Sequence, residues 1–223
     1  MVTSSPFFVF STIRKNIIFF DEFIHCNVIP YEVGNMEIKK LQEMLRNNHE
    51  TMQDHQEWEL MWETYISDVK NNYESLSFKE AIAKLISEYN YRERSQSNNC
   101  GELGVDIRVG DICYIDFGCA YVNEIGYQHF GIIISIFHNK AFVVPMSGNQ
   151  GAYISAYGKD NPNGKRHLMR LGKLKGMNKN SVLFINDAKW INTARIIDVK
   201  AHLDRQGELF QEIKERVIHC LNI

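Results

Sequence analysis

Gly131-Ile-Ile-Ile-Ser-Ile-Phe137 and Ala141-Phe-Val-Val-Pro-Met146, preceded by Ile112-Cys-Tyr-Ile-Asp-Phe117, decide the fold of this 223-residue chain. Each is a short β-branched and aromatic run bounded by Gly, Asn or Pro, the composition of a strand rather than a helix. Together they read as strands of a small barrel. Val182 to Ile185 and Ala194 to Val199 are further strand candidates. Leu209 to Leu221 places apolar residues at 209, 213, 217 and 221 on one helical face and closes the chain as a helix. No internal repeat is visible.

Upstream of these strands the texture is helical. A 3.5-residue spacing runs from Leu41 to Leu76 through Leu45, Asn48, Met52, His55, Glu59, Trp62, Ile66, Val69 and Tyr73, which predicts one long helix or a helical hairpin. Polar residues at the central seam positions suit a register-fixing role, and His55 is read as one of them. Ser77 followed by Glu80 is a capping box, so a second helix is expected over 77–91, with Ile82, Leu85, Ile86 and Tyr89 on one face. The tract Ser95-Gln-Ser-Asn-Asn99 leading to Gly101 and Gly104 is loop-like, and a domain boundary is placed there. The expected class is therefore α+β: a helical extension over 1–100 and an SH3-like barrel with a C-terminal helix over 101–223.

Composition narrows the function. With 44% hydrophobic and 23% charged residues the chain can bury a full core. No apolar stretch of eighteen residues predicts a membrane span, and Arg14 and Lys15 interrupt the apolar run 6–29, which is read as core rather than as a signal peptide. Five scattered cysteines without a CxxC pair argue against a disulfide framework and fit a reducing cytoplasm. Cys100, Cys113, Cys119 and His129 match no zinc spacing, so no metal and no cofactor is expected.

The net charge of −2 conceals an asymmetry, because residues 1–100 hold 10 Lys/Arg against 15 Asp/Glu and residues 101–223 hold 15 against 12. Lys159, Lys165, Arg166, Arg170, Lys173, Lys175 and Lys179 form a basic stretch opposed only by Asp160. Such a stretch attracts a polyanion or is simply a solvated loop.

The order of motifs in 108–223 resembles the PemK/MazF toxins. Arg108-Val-Gly-Asp-Ile-Cys-Tyr-Ile-Asp-Phe-Gly118 is similar to that family's opening strand. Asn123-Glu-Ile-Gly-Tyr-Gln-His-Phe-Gly-Ile-Ile-Ile134 follows its next segment, with His129-Phe130 in place of the family's Arg-Pro. Val143-Val-Pro-Met-Ser-Gly148 resembles the strand end that presents an active-site hydroxyl, here Ser147. The run from Asn180 to Ile197 matches the family's Ser-Val, basic, Ile, Arg pattern through Ser181, Val182, Lys189, Ile191 and Arg195. Asp198-Val-Lys-Ala-His-Leu-Asp204 then leads into the terminal helix.

The resemblance implies a metal-independent endoribonuclease that cuts single-stranded RNA by 2′-hydroxyl attack, a possible antitoxin partner, and a homodimer. The family's catalytic arginine is replaced, which puts the weight on His129. Such chemistry needs a base, an acid and donors for the phosphoryl oxygens, and an imidazole serves as base or acid near neutrality. His129 and Ser147 are the candidate catalytic residues; Arg166, His167, Arg170, Lys189 and Arg195 are candidates for phosphate contact, His167 also as a second acid–base partner. Asp111 and Glu124 are read as turn or loop residues. Tyr121, Tyr127, Phe130, Tyr153 and Tyr157 include possible base-stacking positions. The alternative is a non-catalytic RNA- or protein-binding module on the same fold. The acidic helical half either covers and regulates the basic barrel or is a structural extension.

Overall fold

The computed structural model describes residues 38–47, 51–52 and 55–221. The chain divides into two compact units, Met1–Tyr65 and Ile66–Ile223. In the first lies helix α1 (Ile38–Asn47); helix α2 (Trp58–Ser75) begins there and runs on past the division. The stretch 41–76, expected as one long helix or a helical hairpin, is thus two helices. His55, expected on a helical seam, instead sits in the turn before α2, where its Nδ1 accepts the Glu57 amide N–H at 3.2 Å. No residue of α2 is buried. The apolar run 6–29 lies outside the described residues.

The second unit holds the α+β architecture. Helix α3 (Phe78–Arg94) starts at the predicted capping box, with Ser77 Oγ accepting the Glu80 amide and the Glu80 carboxylate accepting the Ser77 amide. Next come strands β1 (Asp111–Asp116), β2 (Gln128–Phe137) and β3 (Lys140–Ser147), helix α4 (Gln150–Ser155) and strand β4 (Ala156–Tyr157). Strands β5 (Lys165–Gly172), β6 (Ser181–Phe184), β7 (Lys189–Asn192) and β8 (Ile196–His202) then lead to helix α5 (Glu208–Cys220).

The strands join in the order β4-β5-β6-β3-β2-β1-β8, with β7 also paired to β3; only β4 with β5 is parallel. Among the described residues the two end strands do not pair, so the sheet is curled but not closed, unlike the expected barrel. β3 makes the curl: its first half, Lys140 to Val143, pairs with β7, while Met146 and Ser147 pair with β6.

Both faces of the central strands are covered, which is why their sequences read as continuous apolar runs rather than alternations. One face, with Ile112, Ile132, Val144, Met146 and Leu183, packs against Phe210, Ile213 and Val217 of α5. The buried stripe of α5 is therefore 210/213/217, and Leu221 is exposed. The other face, with Cys113, Ile115, Ile133, Val143 and Ile196, is closed by Cys100, Val105, Ile107 and Phe117. Fully burying such side chains contributes about 1.5–3 kcal/mol each. Gly110 (φ 94°) enters β1 beside the Leu203 carbonyl, which a Cβ would meet at 2.2 Å, so only glycine fits.

α3 is fastened to the sheet by polar groups. Ser87 Oγ and Asn90 Nδ2 each donate to the Asp116 carboxylate at 2.6 Å, and Gln128 Nε2 donates to Ser87 Oγ at 2.8 Å and to the Ala83 carbonyl at 3.2 Å. Arg94 donates to the carbonyls of Ala194 and Ile196. The polar tract after α3 is anchored too, since buried Cys100 donates its amide to Thr193 Oγ at 3.3 Å. Residues 66–100 therefore share a compact unit with the strands.

Candidate functional site

Six strands present one row of side chains. Ile115 of β1 is paired with Ile196 of β8 and with His129 of β2. The β2–β3 pairing is described up to Phe130–Met146, so the next positions along these antiparallel strands are His129 and Ser147. Ser147 is paired with Val182 of β6, and Val182 with Arg170 of β5. Opposed residues of neighbouring strands point to the same face. His129 and Ser147, far apart in sequence, thus occupy neighbouring places on one surface.

His129 is half-buried, and its Nδ1 lies 2.7 Å from the Gly126 carbonyl oxygen. A carbonyl can only accept, so Nδ1 carries the hydrogen, and in the neutral ring Nε2 is left with its lone pair. Burial pushes the imidazole pKa below its ordinary value; the Gly126 carbonyl pulls it up, and the Lys79 charge pushes it down again. The neutral form that prevails near pH 7 is a base at Nε2, not an acid. Ser147 Oγ accepts the Asn149 amide at 3.2 Å, which leaves its hydroxyl hydrogen for donation.

The β1–β2 connection, residues 117–127, shapes the approach to His129. It turns through two left-handed non-glycine residues, Asn123 (φ 73°) and Tyr127 (φ 55°). A bulky residue there is strained, and such strain persists only where the surroundings over-determine it. Here the surroundings are specific. Tyr127 exchanges bonds with Gly118 and Phe117, donating to one carbonyl and accepting from the other amide. Asp187 accepts the Ile125 amide at 2.5 Å and pairs with Lys189 at 2.7 Å. Lys189 also lies over the Phe117 ring. Arg195 donates to the Asp116 carbonyl at 3.2 Å and packs beside Gly118. Lys189 and Arg195 are therefore gathered around the same connection as His129, each with an internal partner.

The remaining candidates sit on β5 and are not brought together with His129. Arg170 is engaged by the Tyr153 carbonyl (2.7 Å), the Ile154 carbonyl (2.5 Å) and Asp160 (2.7 Å), and it stacks on the Tyr153 ring. It ties α4 to β5. Arg166 shares the Arg170 face by strand alternation, with an exposed side chain, while His167 belongs to the opposite face. Burial first and the Lys165 charge second lower the His167 pKa. Asp111 and Glu124 serve turns: Asp111 accepts the Arg108 amide and the His202 Nδ1, and Glu124 accepts the Tyr121 amide.

Two cations escaped the sequence reading as site residues. The aliphatic stem of Lys179 lies against Gly148, beside Ser147, with its side chain exposed. Lys79, in the first turn of α3, is near enough to His129 to oppose its protonation. Lys179 was visible as part of the basic stretch; nothing in the sequence marked Lys79. Among the described residues no group of three or more His, Cys, Asp or Glu side chains could hold a metal ion, and no helix is long and apolar enough to cross a membrane.

No protein-family model matches the chain, and no curated protein matches it. Among solved structures it is similar to an endoribonuclease in complex with its cognate antitoxin from a mycobacterial species, at 8% identity and a TM-score of 0.37 over 53% of this chain and 97% of that one. It is also similar to Mycobacterium tuberculosis toxin MazF-mt6, at 10% identity and a TM-score of 0.36 over 51% and 97% of the two chains. A third is MazF from Deinococcus radiodurans, at 10% identity and a TM-score of 0.40 over 52% and 97%.

Proposed function

We propose that this protein is a metal-independent endoribonuclease of the toxin–antitoxin type that cuts single-stranded RNA. What supports the reading is that His129, with Nδ1 on the Gly126 carbonyl and Nε2 left to accept a proton, and Ser147, with its hydroxyl hydrogen left to donate, stand at the positions next to the Phe130–Met146 pair on β2 and β3. His129 Nε2 takes the proton of the 2′-hydroxyl. The 2′-oxygen then bonds to phosphorus as the bond to the 5′-oxygen breaks, leaving a 2′,3′-cyclic phosphate and a 5′-hydroxyl protonated by solvent. The Ser147 hydroxyl and the Lys179 ammonium stabilise the charge on the phosphoryl oxygens. Exposed Lys179 and Arg166 meet the backbone of the strand, and an acidic antitoxin would compete for the same cations.

Incubating the folded protein with RNA in EDTA tests this. His129→Ala should lose about 10²–10⁴-fold in rate, the usual share of a general base. Failure of the parent to cut any RNA would sink it.

A second reading, a non-catalytic RNA- or protein-binding module, is favoured by one observation: Arg170, Lys189 and Arg195 are all held by internal partners rather than presented. RNA binding unchanged in His129→Ala, with no cleavage by the parent, would select it.

A further inference from the structure

Between Arg46 and Lys70 the sequence holds six acidic residues and no lysine or arginine. Helix α2 begins inside that stretch and carries Trp58, Trp62 and Tyr65 at steps of four and three residues, which sets the three rings in one row. The rings stack on one another, Trp58 on Trp62 with centroids 5.5 Å apart and Trp62 on Tyr65 at 5.8 Å. They are not core, since Trp62 stays 45% and Tyr65 53% exposed. Glu59 and Glu63, each one residue beyond a tryptophan, line a single flank of the row. Both are exposed, and neither forms an ion pair among the described residues. Like charges four residues apart destabilise a helix unless a cation lies between them.

We propose that this row docks a basic segment of another protein, an extended stretch with arginines at alternate positions. Ring faces attract cations, a guanidinium also stacks on them, and the two carboxylates supply the counter-charge alongside. Glu59 and Glu63 lie about 6 Å apart along the helix axis. Side chains two residues apart in an extended chain stand about 6.6 Å apart on one side, so two arginines reach both carboxylates. The row from Trp58 to Tyr65 is about 10 Å long, the reach of three extended residues, and therefore suits a peptide rather than a lone cation. Sign decides the class of partner, because carboxylates repel a nucleic acid or an anionic bilayer. The rings already hold one another in place, so docking costs little further side-chain entropy. The proposal does not depend on the ribonuclease reading.

The test is tryptophan fluorescence of the full chain carrying Trp190→Phe, which leaves Trp58 and Trp62 as its indole emitters. The probe is a short Arg-Gly repeat peptide, and the control replaces each arginine by citrulline, which keeps the shape and removes the charge. The Arg-Gly peptide should change the emission in a saturable way, half-complete below about 1 mM peptide in low salt, and the citrulline peptide should not. High salt should weaken the binding, since the carboxylates are exposed. Glu59→Gln with Glu63→Gln should weaken it about fivefold, and Trp62→Ala about fivefold as well. Glutamine keeps the helix propensity of glutamate, so the first variant decides the matter even if the second misfolds. Absence of a saturable response overturns the proposal. A citrulline peptide that binds as well, or a glutamine pair that leaves binding unchanged, also overturns it and assigns the row to an apolar partner.

Discussion

Lowering the pH should switch off His129 below the pH at which an ordinary histidine titrates. Burial is the main reason its imidazole pKa is depressed, with the Lys79 charge acting in the same direction and the Gly126 carbonyl against it. If Nε2 is the base, the rate follows the neutral fraction. It is flat above about pH 6.5, the free-histidine value, and drops tenfold per pH unit below the lowered pKa. Lys79→Gln removes one of the two depressing causes, so its acid limb should move to higher pH while the plateau rate changes little. Stability carries the same signature. The unfolded chain binds a proton at His129 at a higher pH than the folded one, so the neutral-ring contribution is complete above about pH 6.5 and is lost as pH falls toward the folded pKa. The assay is the initial rate of cyclic-phosphate formation in EDTA across pH 4.5–8, run beside chemical denaturation at each pH, with His129→Ala as the control. An acid limb centred above pH 6.5, a limb that persists in His129→Ala, or one that moves to lower pH in Lys79→Gln would refute the reasoning.

Three further outcomes follow from partners already described. Asp116→Ala strands four donors, including Ser87, Asn90 and the Gly118 amide. It should cost about 3–5 kcal/mol by chemical denaturation, with hydrogen exchange in α3 rising first. Arg170→Lys cannot serve two carbonyls and Asp160 at once, so it should lose about 2 kcal/mol while leaving RNA affinity within about twofold. Asp187→Ala frees both Ile125 and Lys189 and should lower kcat about tenfold, whereas Asp187→Asn, which still accepts the Ile125 amide, should recover most of it.

How much of this was legible in the sequence depends on the kind of interaction. Strands built on apolar runs were readable: residues 112–117, 131–137 and 141–146 fall on β1, β2 and β3 with end errors of a few residues. The capping box located α3 because its signal is local. β5 was missed because Lys165-Arg-His-Leu-Met-Arg170 looks like charged loop; its apolar face, Met169 and Leu171, surfaces only once α5 is packed against it. The attachment of α3 was missed for a different reason. Its fasteners, Ser87, Asn90 and Gln128, are polar, and hydrophobic periodicity points to the face that turns away. Residue type alone nominated Arg170 for phosphate, and a resemblance in motif order nominated Arg195, but neither says anything about internal carbonyls that accept from a guanidinium.

The strained connection 117–127 then links these facts. It is flanked by Asp116 and Gln128, two of the residues that hold α3, and its last turn supplies the Gly126 carbonyl that orients His129. Asp187 pins the middle at Ile125. An imidazole whose tautomer is set by one backbone carbonyl is only as well aimed as the segment carrying that carbonyl. The left-handed turns at Asn123 and Tyr127 each store on the order of 1 kcal/mol that favours release. Without the α3 clasp, one end of the connection loses its anchor, and the cost falls first on the aim of Nε2 rather than on the sheet. The polar clasp therefore does more than attach a helix. It couples the position of α3 to the orientation of the His129 ring.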